Sequence, residues 1–408
     1  MNCFALLDDR AATAAKPTSR LYTGLVRECR CEDPGRLEAV WAEAEREMRA
    51  GRHVVVLADY EWGARLVGAG EQGWESGDQA WEAGERGTLR LLLFTDLRHL
   101  SSQEVESWLA TREAEALADG AGPSSAPSPT APPAPAGVFN VHPSLGAEAF
   151  SAALDRIQAL ILAGETYQVN FTYRLDFQTF GSPFSLYRRL RASQPVPFGA
   201  FLALPSGPGT GTGAGSGVGI STGKGIGLGT SVGPCNQADT ITSIDSGTLT
   251  GTFTGEPTWI LSCSPELYLR HQGGRLTARP MKGTAPRGAD AATDATLARQ
   301  LSADAKTRAE NLMIVDLLRN DLGRLARAGG VRVPALFQVE AHPSLWQMTS
   351  TIEAELPPGV TFPQVLRATF PCGSITGAPK HRTMHWIRQI ESRPRGLYTG
   401  AIGWIDLP

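Results

Sequence analysis

The sequence predicts a protein of mixed helices and strands, and three observations carry that expectation. Two apolar runs, Arg52–Asp59 (RHVVVLAD) and Leu89–Thr95 (LRLLLFT), have the length and branched or aliphatic content of buried strands. Pro34–Ala50 places Leu37, Val40, Trp41 and Met48 on or near one face of a helix. At 408 residues, 42% of them hydrophobic and 19% charged, the chain is long enough for a large core or for two domains.

The elements follow in order. Residues 1–118 read as an N-terminal α/β part, with Ser102–Ala118 as its second helix. Residues 119–137 (DGAGPSSAPSPTAPPAPAG) read as a linker, because proline at this density removes backbone donors and favours extended conformations. Residues 138–408 form the larger part. Its predicted elements are a helix at Ala147–Ala163, a strand at Tyr167–Leu175 and a helix at Ser182–Gln194, then strands at Phe198–Leu204 and Trp259–Cys263. The last two have the pattern of a hairpin. Between them, residues 206–257 are dominated by Gly, Thr and Ser. Glycine has the most backbone entropy to lose, and few side chains here can be buried, so a disordered loop is expected. A phosphate-cradling loop is excluded, since Gly223-Lys224 is followed by Gly225 and not by Ser or Thr. Helices at Ala303–Arg327 and from about Pro379 to Glu391 complete the reading.

A net charge of −3 argues against a nucleic-acid partner. No run of about eighteen apolar residues is present, so no membrane span is expected. The N-terminus (MNCFALLDDR) has acids where a signal peptide would stay apolar. The six cysteines lack paired C-x-x-C spacing and read as free thiols of a cytoplasmic protein; Cys29 and Cys31 have no nearby partners for a metal.

Several residues could carry chemistry. Lys282 sits between Pro280 and Gly283-Thr284, on a short, shaped piece of backbone. An amine held this way is a nucleophile if its surroundings lower its pKa. Glu266 heads an apolar strand, where its carboxyl pKa would rise and suit acid–base work. Glu310 shares a helix side with Ile314 and Leu317, so it needs a partner or a cation. The loop Gly373–Lys380 (GSITGAPK) precedes a helix with Pro379 suited to its first position, and free N–H groups there make an anion site.

Four blocks stand in a fixed order: Ser264-Pro265-Glu266-Leu267, Pro280-Met281-Lys282-Gly283-Thr284, Arg308–Arg324 (RAENLMIVDLLRNDLGR) and Gly373–Lys380. With Tyr167-Gln168-Val169-Asn170, they resemble the chorismate-utilising enzymes, from about Val138 to the last residue. The resemblance implies an α+β fold like that of anthranilate synthase component I: two packed antiparallel sheets flanked by helices, with the site between them. Lysine at position 282 resembles the aminodeoxychorismate synthase branch, whereas anthranilate synthases usually carry alanine there. That branch makes 4-amino-4-deoxychorismate from chorismate and ammonia, with ammonia from a separate glutamine amidotransferase subunit, for folate synthesis.

By the same resemblance, Glu266 protonates the departing C4 hydroxyl, Lys282 adds at C2, and Glu310 is a Mg2+ ligand. Gln168 replaces the lysine base of water-using members and so implies ammonia as nucleophile. Gln168, Thr284, the Thr376-Gly377-Ala378 backbone, Tyr398 and Gly400 are implied to surround the substrate. Gln347 stands where a histidine is common in anthranilate synthases. Family members also continue several tens of residues past the position of Pro408, with an arginine strand and a second metal-binding glutamate. Without that tail, the chain is either a fragment or early-terminated product of the enzyme or a non-catalytic relative that has lost activity; anthranilate synthase component I is the second enzyme reading, and Lys282 argues against it.

Overall fold

A computed structural model describes residues 3–68, 85–118, 131–205, 218–223, 248–252 and 258–407. Most of the linker expected at 119–137 and most of the Gly-rich segment, including Cys235, lie outside the described residues.

An eleven-stranded antiparallel sheet is the backbone of the molecule. Its strands run in the order Ala401–Ile405, His53–Ala58, Leu89–Leu100, Ser19–Cys31, Phe4–Asp8, Phe198–Leu204, Thr258–Ser264, Thr248–Thr252, Val218–Gly223, Thr172–Phe180 and Gly137–Pro143. The strands read as buried lie inside it: Val54, Val55, Leu89, Leu91, Leu92, Leu93 and Phe94 expose nothing to solvent. Burial of each such side chain is worth about 1.5–3 kcal/mol, which is what holds so long a sheet together. The order also places the C-terminal Ala401–Ile405 beside His53–Ala58, in register Ala401↔Ala58. Strands from both ends of the chain therefore share one sheet.

A second antiparallel sheet joins Leu267–Gln272, Arg275–Arg279, Met281–Pro286 and Val331–Ala341 around the long central strand Leu345–Glu355. The helix Ala305–Gly323 lies on it and buries Ile314, Val315, Leu318 and Leu322 against Leu276, Ile352 and Ala354. Tyr268 and Phe370, 5.9 Å between ring centroids, join this core to that of the large sheet. The expected pair of packed antiparallel sheets flanked by helices is the architecture observed.

Three expectations need correction. Val218–Gly223 and Thr248–Thr252, inside the segment expected to be a disordered loop, are strands that bridge Thr258–Ser264 to Thr172–Phe180. Ladder hydrogen bonds need only backbone, so a segment poor in side chains to bury can still complete a sheet. The Phe198–Leu204 and Thr258–Ser264 strands do pair directly, as read. The strand expected at Tyr167–Leu175 is broken. Gln168–Val169 pairs with Gly377–Ala378, and only Thr172–Phe180 joins the large sheet. Finally, Pro379 is the N-cap of the helix Lys380–Ile390 and not its first residue.

Cys29 and Cys31 are buried free thiols, and Cys31 Sγ donates to Asp33 O at 3.1 Å. Among the described residues no helix is long and apolar enough to cross a membrane.

Candidate active site

Lys282 lies on an irregular strand. Met281 pairs with Thr349 and Thr284 with Gln347, so Lys282 and Gly283 together oppose Met348. One extra residue is therefore inserted at this point, a bulge of the kind that re-aims a side chain. Gly283 makes it possible with φ +101°. A Cβ there would lie 2.1 Å from Thr307 Cγ2. The lysine is half-buried, enclosed by protein yet still open to solvent. Burial lowers its pKa below the ordinary value, and the carboxylates of Glu266 and Glu310 oppose that shift.

Glu266 precedes the strand Leu267–Gln272. Burial raises its pKa; a hydrogen bond from Ser374, the charge of Lys282 and the Met281 N–H pull it back. Ser374 Oγ donates to Glu266 Oε1 at 2.7 Å, and Cys372 Sγ lies 3.2 Å from Ser374 Oγ. Burial pushes the Cys372 thiol up to about 11, so it stays protonated near neutral pH.

Glu310 is aimed by its helix. Asp304 ends the preceding helix Ala291–Ala303 and caps this one, accepting from Thr307 N at 2.7 Å. Four contacts then fix the helix along its length. Thr307 packs on Gly283, and Asn311 Oδ1 accepts from Ser350 Oγ at 2.6 Å. Leu317 packs on Gly373, and Asp321 pairs with the buried Lys380. Glu310 falls between the first and second contacts, near enough to Lys282 for its charge to act on the amine. The intrahelical salt bridge open to it is long, 3.9 Å to Lys306. Among the described residues no group of three or more His, Cys, Asp or Glu side chains could hold a metal. One accessible carboxylate still suits Mg2+, which commonly takes one or two carboxylates and completes its shell with water and substrate oxygens.

Gln168 and the Gly377–Ala378 segment are brought together by pairing, Ala378↔Gln168 and Gly377↔Val169. Gly377 has φ +144°, and a Cβ on it would sit 1.9 Å from Gln168 O, so glycine is required there. Thr376 is fully buried and its hydroxyl turns back to Gly373 O at 3.2 Å. Gln168 is buried, yet among the described residues no donor reaches its Oε1. Tyr398 is half-buried on the turn leading to Gly400. Gly400 is required by the sheet, because a Cβ would lie 2.1 Å from Ala58 O. Thr284 stands apart: it is exposed and donates to Gln347 Oε1 at 3.2 Å.

Sequence reading missed the residue that ties these segments together. The buried Arg395 donates to Asn170 O at 2.6 Å, Ile375 O at 2.8 Å and both oxygens of Glu391, and its guanidinium lies 4.5 Å over Tyr60. Glu61 accepts from the N–H groups of Arg395 and Gly396, and its burial lifts its pKa to about 7. Apart from Glu391, four residues before Arg395, these partners are remote, up to 335 residues apart in the chain, so no local motif announces the whole set.

The sequence profile of the chorismate binding enzyme family matches residues 3–213 and 246–407. The chain belongs to that family. An aminodeoxychorismate synthase of Streptomyces griseus is 37% identical over 305 residues, 74% of this chain and 35% of that protein. An anthranilate synthase component 1 of Streptomyces coelicolor is 32% identical over 282 residues, 69% of this chain and 45% of that one. The chain thus spans less than half the length of these curated relatives. Anthranilate synthase component I of Streptococcus pneumoniae shares the fold, with TM-score 0.57 at 20% identity over all of this chain and 79% of the other.

Proposed function

We propose that this chorismate-binding chain is the aminating component of an aminodeoxychorismate synthase, converting chorismate and ammonia to 4-amino-4-deoxychorismate. The observation that carries the reading is the amine of Lys282, enclosed beside the carboxyl of Glu266 on a bulge that directs it. The relatives named aminodeoxychorismate synthase, at up to 37% identity, point the same way. The work of the site divides as follows. Glu266 Oε1 accepts from the Ser374 hydroxyl, and burial favours the protonated form of this carboxyl. That proton goes to the C4 hydroxyl, which leaves as water. Neutral Lys282 forms a bond to C2 as both ring double bonds shift by one position and the C4–O bond breaks; the proton lost by its nitrogen returns to the Glu266 carboxylate. Ammonia then bonds to C4, both double bonds shift back, and the lysine nitrogen leaves, taking up the proton that the new C4 ammonium gives up. Splitting one hard substitution into two displacements is the gain of covalent catalysis.

Gln168 Oε1, buried and without a donor among the described residues, is an acceptor that an N–H of ammonia can satisfy. The Thr376–Ala378 backbone would receive a chorismate carboxylate. Glu310 would hold Mg2+, whose charge offsets that of the substrate carboxylate when bound. Ammonia would come from a separate glutamine amidotransferase, in the cytosol, on the route to 4-aminobenzoate and folate.

The test is turnover of the full chain with chorismate, Mg2+ and ammonium salt. The product should need an added lyase to yield 4-aminobenzoate. Direct formation of fluorescent anthranilate would overturn the reading in favour of anthranilate synthase. Bound chorismate with no turnover would leave a non-catalytic binding protein.

A further inference from the structure

We infer that Gln347 is the positioning residue that holds the Lys282 bulge, and so sets where the amine points. The inference rests on the proposed role of Lys282 for its catalytic meaning, but not for its geometry.

The argument begins with the ladder. Where Lys282 and Gly283 together oppose Met348, regular backbone pairing is interrupted. A carbonyl that loses its ladder partner needs another donor. Gly283 O finds it in a side chain: Gln347 Nε2 donates to it at 2.9 Å. The same amide accepts from Thr284 Oγ1 at 3.2 Å through Oε1. One planar group therefore grips two consecutive residues immediately after Lys282, one by its carbonyl and one by its hydroxyl. On its other side the bulge is braced by Thr307, against which Gly283 has no room for a Cβ. Gln347 itself sits on the central strand Leu345–Glu355, between the half-buried Trp346 and the fully buried Met348. Trp346 Nε1 donates to Asp294 Oδ1 at 2.8 Å, and Arg287 lies 4.6 Å over its ring. The base of the grip is thus fixed.

The chemistry of an amide suits this place. It must donate to a carbonyl and accept from a hydroxyl at once, which neither a carboxylate nor an aliphatic side chain can do. It is also uncharged at every pH. The titratable and charged groups that act on the Lys282 amine are then Glu266, Glu310 and Cys372, with no contribution from the residue that holds its backbone.

The experiment reads Lys282 directly. The full chain, without chorismate, is labelled with trace acetic anhydride across a pH series, and modification of the Lys282 peptide is followed by mass spectrometry. Gln347→Met keeps the length of the side chain, adds no charge and removes both bonds. In this variant the apparent pKa of Lys282 should move and its labelling rate at fixed pH should change at least threefold, while other lysines stay as they were. With chorismate and ammonia, kcat should fall on the order of 10²-fold, the usual cost of misplacing a reacting group by about 1 Å. KM for chorismate should hold within about threefold, because the carboxylate loop is untouched. If Gln347→Met does not fold, Thr284→Val removes one of the two bonds and should shift the labelling in the same sense. An unchanged Lys282 labelling profile in the folded variant overturns the inference. If Lys282→Ala retains full ammonia-dependent turnover, the covalent reading fails, and the labelling shift alone then decides the positioning role.

Discussion

Replacing Gly283 with alanine tests how tightly the Lys282 strand and the Glu310 helix are locked together. Two costs add. The residue has φ +101°, a region in which non-glycine residues carry about 1–3 kcal/mol of strain. The new Cβ would lie 2.1 Å from Thr307 Cγ2, so strand or helix must yield, an overpacking cost of about 1–3 kcal/mol. Reduced freedom of the unfolded chain returns about 0.4–1 kcal/mol. The net loss is about 1–5.5 kcal/mol, a large share of the ~5–15 kcal/mol that holds a domain folded. Urea unfolding measures it as a lower midpoint at unchanged slope. Thr307→Ser removes the offending methyl, so the pair Gly283→Ala/Thr307→Ser should recover the contact cost and leave the φ cost. A Gly283→Ala chain within 0.5 kcal/mol of the parent, or a pair no better than the single variant, would refute the packing argument.

Two further outcomes follow from the same site. Glu266→Gln should lower turnover about 10²–10⁴-fold, the range for losing a general acid, without loss of stability at pH 8. The sign comes from its raised pKa: the folded chain binds the proton more tightly than the unfolded one. The stability this gives is complete below the unfolded value near 4.5 and is lost as pH rises through the higher folded value. Unfolding at pH 5 and pH 8 checks it, with the parent losing stability relative to the variant between them. Arg395→Lys keeps the charge but cannot reach Asn170 O, Ile375 O and Glu391 together, and should cost about 2–4 kcal/mol by thermal unfolding. A melting temperature unchanged in that variant would show that Arg395 is not the tie between these segments.

What the sequence disclosed depended on how far apart the cooperating residues lie. Lys282, Glu266 and Glu310 each stand in a contiguous block, and the three do converge. The helix carrying Glu310 was visible from its period, and its true start from Asp304 only as a cap. Arg395 left only its local pairing with Glu391 to be read, four residues earlier, because its other acceptors are the carbonyls of Asn170 and Ile375, and carbonyls have no sequence identity. Gln347 could be noticed as a substitution, but its bonds to Gly283 and Thr284 depend on a bulge that no pattern of side chains specifies. The strands at Val218–Gly223 and Thr248–Thr252 escaped for a related reason. Their pairing is carried by backbone groups, while the composition around them spoke only of lost entropy.

The most direct measurement is peptide mass spectrometry of the chain quenched with chorismate and Mg2+ in the absence of ammonia. A covalent adduct on Lys282, equal to chorismate less one water, is the predicted result. No adduct on that lysine, together with parental turnover by Lys282→Ala when ammonium is supplied, would contradict it.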